Sequence, residues 1–322
     1  MKQPNTHSNS PKFECSKDGF FEYLKTCKNY HNARGTEYFN PWQEVAEKIM
    51  DVGHYYKRGE IYACTEDLPL VQQHNNSDID EKYKFALDIA PNPFEGNVFN
   101  AKIIVLTLNP LLRVKTNRDL YMALNDDDKA TATIYSIKNL DLESQGMYFG
   151  NKSLEKTRTY WKERTKELQG IRGFDASDLA IIQYFGYPSV ECKITKHVKQ
   201  LKSIEFTQHL IEFLAKYRTD DFCFVIARRK KIWEEVLRKC YDTPQEYEKH
   251  VVELKNYRKT YISRGNVKNT TDWEKFERII QQADKPRQER KQQEIKKLKE
   301  AIAKDDGRMV STYEMLLKDL EA

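Results

Sequence analysis

The sequence predicts an α/β protein in three layers, with a short central parallel sheet flanked by helices and helical extensions at both ends. Three observations predict it. First, three short runs are almost wholly apolar and rich in β-branched residues: Lys102 to Leu108 (KIIVLTL), Asp178 to Phe185 (DLAIIQYF) and Asp221 to Ala227 (DFCFVIA). A strand covered on both faces reads as a continuous apolar run, whereas a half-exposed strand alternates. Second, helical spacing fills the stretches between these runs, including Ser153–Leu168 and Glu205–Tyr217. Strands separated by helices argue for parallel pairing through crossovers. Third, 322 residues at 39% hydrophobic and 12% aromatic suffice for a sizeable core.

Each element follows in order. Residues 1–12 are polar with two Pro and read as a disordered tail. Residues 13–84 read as an N-terminal helical segment packing on the core. One helix spans Lys17 to about Tyr30. A second begins at Asn40-Pro41-Trp42-Gln43, where Asn can cap, Pro suits the first helical position and Gln43 stands at the capping-box position. Its apolar residues Trp42, Val45, Ala46, Ile49 and Met50 recur at spacings of 3 and 4, which defines one buried face. Ile61–Cys64 reads as a short strand, and the polar, acidic stretch 65–83 as a loop. Residues 85–244 make the α/β domain, entered through ALDIAPNPFEGNVFNA, irregular backbone with two Pro and a Gly. Residues 245–322 read as a charged helical C-terminal extension with Ile295, Leu298 and Ile302 turned inward. Within it, Lys285 to Glu300 carries seven basic and three acidic residues.

Charge is unevenly spread. Residues 1–100 hold 11 Lys+Arg against 15 Asp+Glu, which leaves 43 basic and 34 acidic residues in 101–322. A basic C-terminal two-thirds suits a polyanionic partner such as DNA or RNA. No run approaches the length of a transmembrane helix, so no membrane partner is expected. The N-terminus has no apolar segment of the secretory kind. The six cysteines, 15, 27, 64, 192, 223 and 240, show no paired spacing and imply free thiols in a reducing, cytoplasmic setting. Cys15, Cys27 and His31 match no common zinc module, and neither metal nor cofactor is expected. The phosphate loop GxxxxGK[ST], HExxH and GxSxG are all absent, which argues against the common NTPase, metalloprotease and serine-hydrolase readings.

In an open α/β sheet, ligands bind beyond the carboxyl ends of the strands. The first candidate strand ends in Thr107-Leu108-Asn109-Pro110-Leu111-Leu112-Arg113. The second ends in Gln183-Tyr184-Phe185-Gly186-Tyr187-Pro188-Ser189. The third ends in Ala227-Arg228-Arg229-Lys230-Lys231. An amide, several aromatic rings, a hydroxyl and four cations at one edge suit a nucleotide or nucleic acid, because rings stack on bases and cations bind phosphates. Asn-Pro after a strand is also ordinary turn chemistry.

A strand ending in Asn-Pro, here IIVLTLNP, resembles the first motif of the uracil-DNA glycosylase superfamily, closest to its mismatch-specific branch. The preceding PNPFEGN, the strand ending in YFGYPS and the strand ending in ARRKKIW also resemble divergent bacterial members, over roughly residues 85–240. The resemblance implies excision of a flipped base by hydrolysis of its N-glycosidic bond, in DNA repair or antiviral defence. It implies that Asn109 is catalytic and orients a water toward the anomeric carbon. It also implies a base pocket of Pro110, Tyr121, Tyr184, Phe185 and Tyr187, with Tyr121 stacking on the base. Arg113, Lys115, Arg228, Arg229, Lys230 and Lys231 would hold DNA of either strandedness. Two departures stand out: Leu111 replaces the Gly after Asn-Pro, and Ala227-Arg228-Arg229 replaces the last His-Pro-Ser-type motif. The missing His points away from plain uracil and toward a modified pyrimidine. Two alternatives stay open: a nucleic-acid-binding protein that keeps the fold without chemistry, and an enzyme acting on free nucleosides or nucleotides. For Tyr121, simple helix packing is the competing reading.

Overall fold

The computed structural model describes residues 12–27, 30, 40–110, 121–147, 155–218, 221–304 and 318. Five strands form one sheet in the order β1-β3-β2-β4-β5: β1 (Phe94–Glu95), β2 (Ile103–Thr107), β3 (Leu179–Gln183), β4 (Cys223–Ile226) and β5 (Val251–Glu253). The last four are mutually parallel, and β1 pairs antiparallel with β3. The register places Thr107 beside Gln183 and Leu106 beside Ile226. Every residue of β2, β3 and β4 is buried, as their continuous apolar runs predict.

Alternate strand residues serve two cores. Ile104, Leu106, Ala180, Ile182, Phe224 and Ile226 face α1 (Lys17–Thr26), α2 (Gln43–Val52) and α6 (Lys202–Tyr217). Ile103, Val105, Leu179, Ile181, Cys223 and Val225 face the other layer. That layer includes Trp161 of α5 (Glu155–Arg164) and the buried side of the long helix α9 (Thr270–Lys304). The other helices of seven residues or more among the described residues are α3 (Leu68–Asn76), α4 (Asp126–Leu140), α7 (Lys230–Leu237) and α8 (Pro244–His250). Three layers with helical extensions at both ends agree with the predicted class.

Met50 of α2, expected on its buried face, is exposed instead, and four further local expectations change. The stretch 65–83 contains α3, because Val71 and His74 supply a buried side that its polar composition hides. The His74 ring stacks on Phe85 and bonds both Thr195 Oγ1 (3.1 Å) and the Tyr83 carbonyl (2.9 Å). Ile61–Cys64 joins no sheet; the Tyr62 N–H donates instead to the Leu87 carbonyl at 2.7 Å. Asn40 acts before α2 begins: its Oδ1 accepts from Trp42 N (3.0 Å) and its Nδ2 donates to the Leu140 carbonyl (2.7 Å), tying α2 to α4. The boundary at 244/245 falls inside α8 and leaves β5, the fourth parallel strand, on its far side.

Helix α9 crosses the sheet diagonally. It starts just after Val267, which bridges to Leu254 beyond the carboxyl end of β5. Eighteen residues into the helix, Arg287 donates to Asp178 Oδ1 and to the Gly173 carbonyl, both at 2.7 Å, at the amino end of β3. Trp273, Phe276, Ile279 and Ile280 bury the side between.

Candidate functional site

The sheet order sets where a ligand would lie. The chain leaves β2 for β3 on one side, whereas β4 leads to β5 on the other. The crevice of a doubly wound sheet opens at such a reversal, beyond the carboxyl ends of the two strands. Asn109 follows β2 there, and Arg228 and Arg229 follow β4. Backbone bonds carry the ladder one step further: Tyr184 N to the Thr107 carbonyl (3.2 Å), Phe185 N to Leu108 (3.1 Å) and Ala227 N to Leu106 (2.9 Å). The buried Trp233 indole of α7 donates to the Thr107 carbonyl at 2.9 Å and seats that helix under the crevice.

Asn109 is half-buried and firmly oriented. Its Nδ2 donates to Ser189 Oγ at 2.9 Å and to the Pro110 carbonyl at 3.1 Å. Ser189 Oγ spends its one proton on the Glu191 carbonyl at 2.8 Å. The serine can therefore only accept from Asn109, which fixes which end of the amide is nitrogen. Among the described residues no donor reaches Asn109 Oδ1, so that oxygen is the acceptor offered to a water or ligand. Ser189, two residues beyond Tyr187, is read from the sequence only as a hydroxyl at the strand end, with no role in the site; the structure makes it the partner of Asn109.

Gln183 is a second residue missed. Its side chain and that of Thr107 are both nearly enclosed at the ends of paired strands, and the Thr107 hydroxyl donates to Gln183 Oε1. The Gln183 amide nitrogen has no acceptor among the described residues. Nearby backbone closes on this corner: the Gln183 N–H donates to the Pro93 carbonyl (2.8 Å), and Asn92 N to the Gly186 carbonyl (2.9 Å). Gly186 is required by space, because a Cβ there would stand 2.8 Å from the Trp42 ring and 3.0 Å from Pro93.

The expected base pocket is corrected by burial. Phe185 and Tyr187 are fully enclosed core residues. The Tyr187 hydroxyl donates to Asp67 Oδ2 at 3.0 Å, and burial holds the phenol protonated. Tyr121 is 3% exposed, edge-on to Tyr55 at 4.4 Å, with its hydroxyl 2.9 Å from His54 Nδ1. Helix packing, not a free stacking face, accounts for it. Tyr184 stays half-buried beside the crevice, T-shaped against Trp233 at 5.4 Å, and its hydroxyl accepts from Gln208 Nε2 at 3.2 Å. Pro110 follows Asn109 directly and is half-buried.

The cations divide. Lys230 is engaged: its Nζ lies 2.7 Å from Glu253 and 3.5 Å from Glu234, and the bond to Glu253 raises its pKa. Its charge is balanced locally by these two carboxylates. Arg229 and Lys231 are exposed, and Arg228 is half-buried. Arg229 caps α7 in the left-handed region at φ 52°, a conformation that costs a non-glycine residue about 1 kcal/mol or more. Arg113 and Lys115 lie outside the described residues.

Among the described residues no three His, Cys, Asp or Glu side chains converge as a metal site, and no helix is long and apolar enough to cross a membrane. Comparison with protein-family models, with curated proteins and with solved structures finds no match.

Proposed function

We propose that this chain is a DNA glycosylase that flips out a modified pyrimidine and hydrolyses its N-glycosidic bond, in DNA repair or antiviral defence. The observation that carries the reading is the oriented Asn109 amide at the reversal between β2 and β4, its nitrogen tied to Ser189 and its oxygen left to accept. As the base departs, positive charge develops at the anomeric carbon. A water donating to Asn109 Oδ1 is held with a lone pair toward that carbon. An uncharged amide is too weak a base to deprotonate water early, so its part is placement and charge stabilisation. The Gln183 amide nitrogen supplies a donor for a carbonyl on the base edge. Arg229 and Lys231 grip backbone phosphates, and the bound strand repays a flipping cost of a few kcal/mol. The chemistry draws on water alone as co-substrate.

The test is an abasic-site assay on DNAs bearing uracil, mismatched pyrimidines and hypermodified pyrimidines, with alkali or an abasic endonuclease revealing strand breaks. Breaks made by the wild type and lost in Asn109→Ala support the reading. A second reading, nucleic-acid binding without chemistry, is favoured by one observation: Tyr121, Phe185 and Tyr187 are packed into the protein while Arg229 and Lys231 stay exposed. Salt-sensitive DNA binding with no breaks on any substrate would establish it instead.

A further inference from the structure

The chain leaves β5 at the carboxyl edge of the sheet and turns back into α9 through residues 255–268. This loop carries five Lys and Arg (255, 258, 259, 264 and 268) and no Asp or Glu. Its shape is fixed by its own polar groups. At the base, the Lys255 N–H donates to the Asn266 carbonyl at 2.7 Å and the Lys268 N–H to the Glu253 carbonyl at 2.9 Å. Further out, Asn256 Oδ1 accepts from the backbone N–H of Arg258 (3.0 Å) and of Lys259 (3.3 Å), and Asn266 Nδ2 donates to the Tyr261 carbonyl at 2.6 Å. The Ile262 N–H donates to the Arg164 carbonyl at 2.8 Å, which fastens the loop to the end of α5. Between these anchors Thr260 is 1% exposed and sits at φ 52°, a conformation that a β-branched residue rarely adopts. Its hydroxyl is held by Arg164 Nε and by the Tyr160 hydroxyl, both at 3.0 Å. Strain of this kind persists only where the surroundings over-determine it, and it gathers at ligand clamps. The residues on either side of Thr260 face outward. Arg258 and Lys259 are exposed and have no carboxylate partner among the described residues, whereas Arg264 is paired with Glu277 and Lys268 with Glu253. Tyr261 is 41% exposed, and the Arg164 guanidinium lies 5.0 Å from its ring centre and 3.7 Å from that of Tyr160. Cations without a counter-charge bind phosphates, and an exposed ring backed by a guanidinium offers a stacking face to a base. Glu253 ties this loop to the crevice, because its carboxylate holds both Lys268 (3.2 Å) and Lys230 at the start of α7 (2.7 Å).

We propose that the loop 255–268 is a second contact for DNA and takes a single-stranded stretch: Arg258 and Lys259 hold its phosphates while Tyr261 stacks on one of its bases. A base inside a duplex has both faces covered by its neighbours, so a ring that stacks selects an unpaired one. The inference rests on DNA as the partner under the proposed function, and it requires no chemistry at Asn109.

The experiment follows binding of the full-length chain to a fluorescent thymidine oligonucleotide, and to a duplex of the same length, by anisotropy across a salt series. The wild type is expected to hold the single strand more tightly than the duplex. Arg258→Gln with Lys259→Gln should lower the dependence of log K on log salt by about 1.4, since each phosphate contact to a single strand contributes about 0.7. Tyr261→Ala should leave that slope unchanged and weaken single-strand binding at least about fivefold, and Tyr261→Phe, which keeps the ring, should restore it. All three side chains are exposed, so the variants should fold, and melting temperatures check this. Folded variants that bind with wild-type affinity and slope, or a duplex held as tightly as the single strand, overturn the inference and leave the crevice reading standing. A wild type that binds neither DNA overturns both. The expected responses in a wild type that releases no base support the inference and remove only the chemistry proposed for Asn109.

Discussion

Asp67 shows how one residue can hold two parts of the chain at once. It is fully buried ahead of α3, yet its Oδ1 accepts from the Lys202 backbone N–H at 2.6 Å and its Oδ2 from Tyr187 at 3.0 Å. It thereby satisfies a free N–H at the start of α6 from 135 residues away, and anchors the segment that presents Ser189 to Asn109. Burial raises its pKa, although its hydrogen bonds oppose that. The sign follows from linkage. The folded state holds the proton more tightly than the unfolded chain, so stability is greatest below the ordinary carboxylate range and is lost as pH rises through the folded pKa. Asp67→Asn keeps an acceptor for Lys202 and removes the titration. Wild-type stability relative to Asp67→Asn should therefore rise as pH falls toward 4, by chemical denaturation across pH 4–8. Asp67→Ala should cost about 2–4 kcal/mol at neutral pH, since it strands a buried phenol and an amide. Sequence reading saw Tyr187 two residues from the crevice and assigned it to a ligand. Its partner lies 120 residues earlier in a stretch that looked like loop, and no local pattern encodes that pairing.

Elements were legible in proportion to how far their own residues decide them. β2, β3 and β4 are buried on both faces, so their composition alone identifies them. β5 has three residues, too few for any period, and forms because α8 delivers Val251 and Val252 to the free edge of β4. The long helix α9 was visible from its spacing, but its anchor was not. Arg287 is read from sequence as one cation in a basic run, yet it binds Asp178, whose side chain is 2% exposed, and the Gly173 carbonyl. The Asp178 carboxylate also accepts from the Asp175 backbone N–H at 2.9 Å. Removing the arginine leaves a buried carboxylate without its counter-charge, so Arg287→Met should destabilise by about 2–3 kcal/mol in urea denaturation. Arg290→Met, three residues on and exposed, should change stability by no more than about 0.5 kcal/mol.

At the scale of the whole molecule, the proposed function raises the question of which basic surface would meet DNA. Beyond the loop after β5, and Arg113 and Lys115, which lie outside the described residues, two basic stretches are to be compared, the loop after β4 and the basic half of α9, and nothing in their order says whether they act together. The fold separates them. Arg229 and Lys231 stand at the carboxyl edge of the sheet, beside Asn109. Arg287 fixes α9 at the amino edge, and the cations that follow it, such as Lys296, Lys297 and Lys299, continue away from Asn109. Under the proposed function, a strand whose base enters the crevice would therefore be held by the first surface. Neutralising one cation that pairs with a phosphate reduces the dependence of log K on log salt by about 0.7–0.9, the lower figure for single strands. Arg229→Gln with Lys231→Gln should flatten that slope by about 1.5, and it should lower affinity about uniformly across DNA sequences. Because Arg229 sits at φ 52°, replacing it with Gly instead should weaken binding in the same way while leaving the melting temperature unchanged or higher. Lys296→Gln, Lys297→Gln and Lys299→Gln together should leave both the slope and base release unchanged. Fluorescence anisotropy on a labelled strand across a salt series reads binding in all three variants, and the abasic-site assay reads base release. A slope that falls only in the α9 variant would move the DNA to the opposite edge and detach it from Asn109.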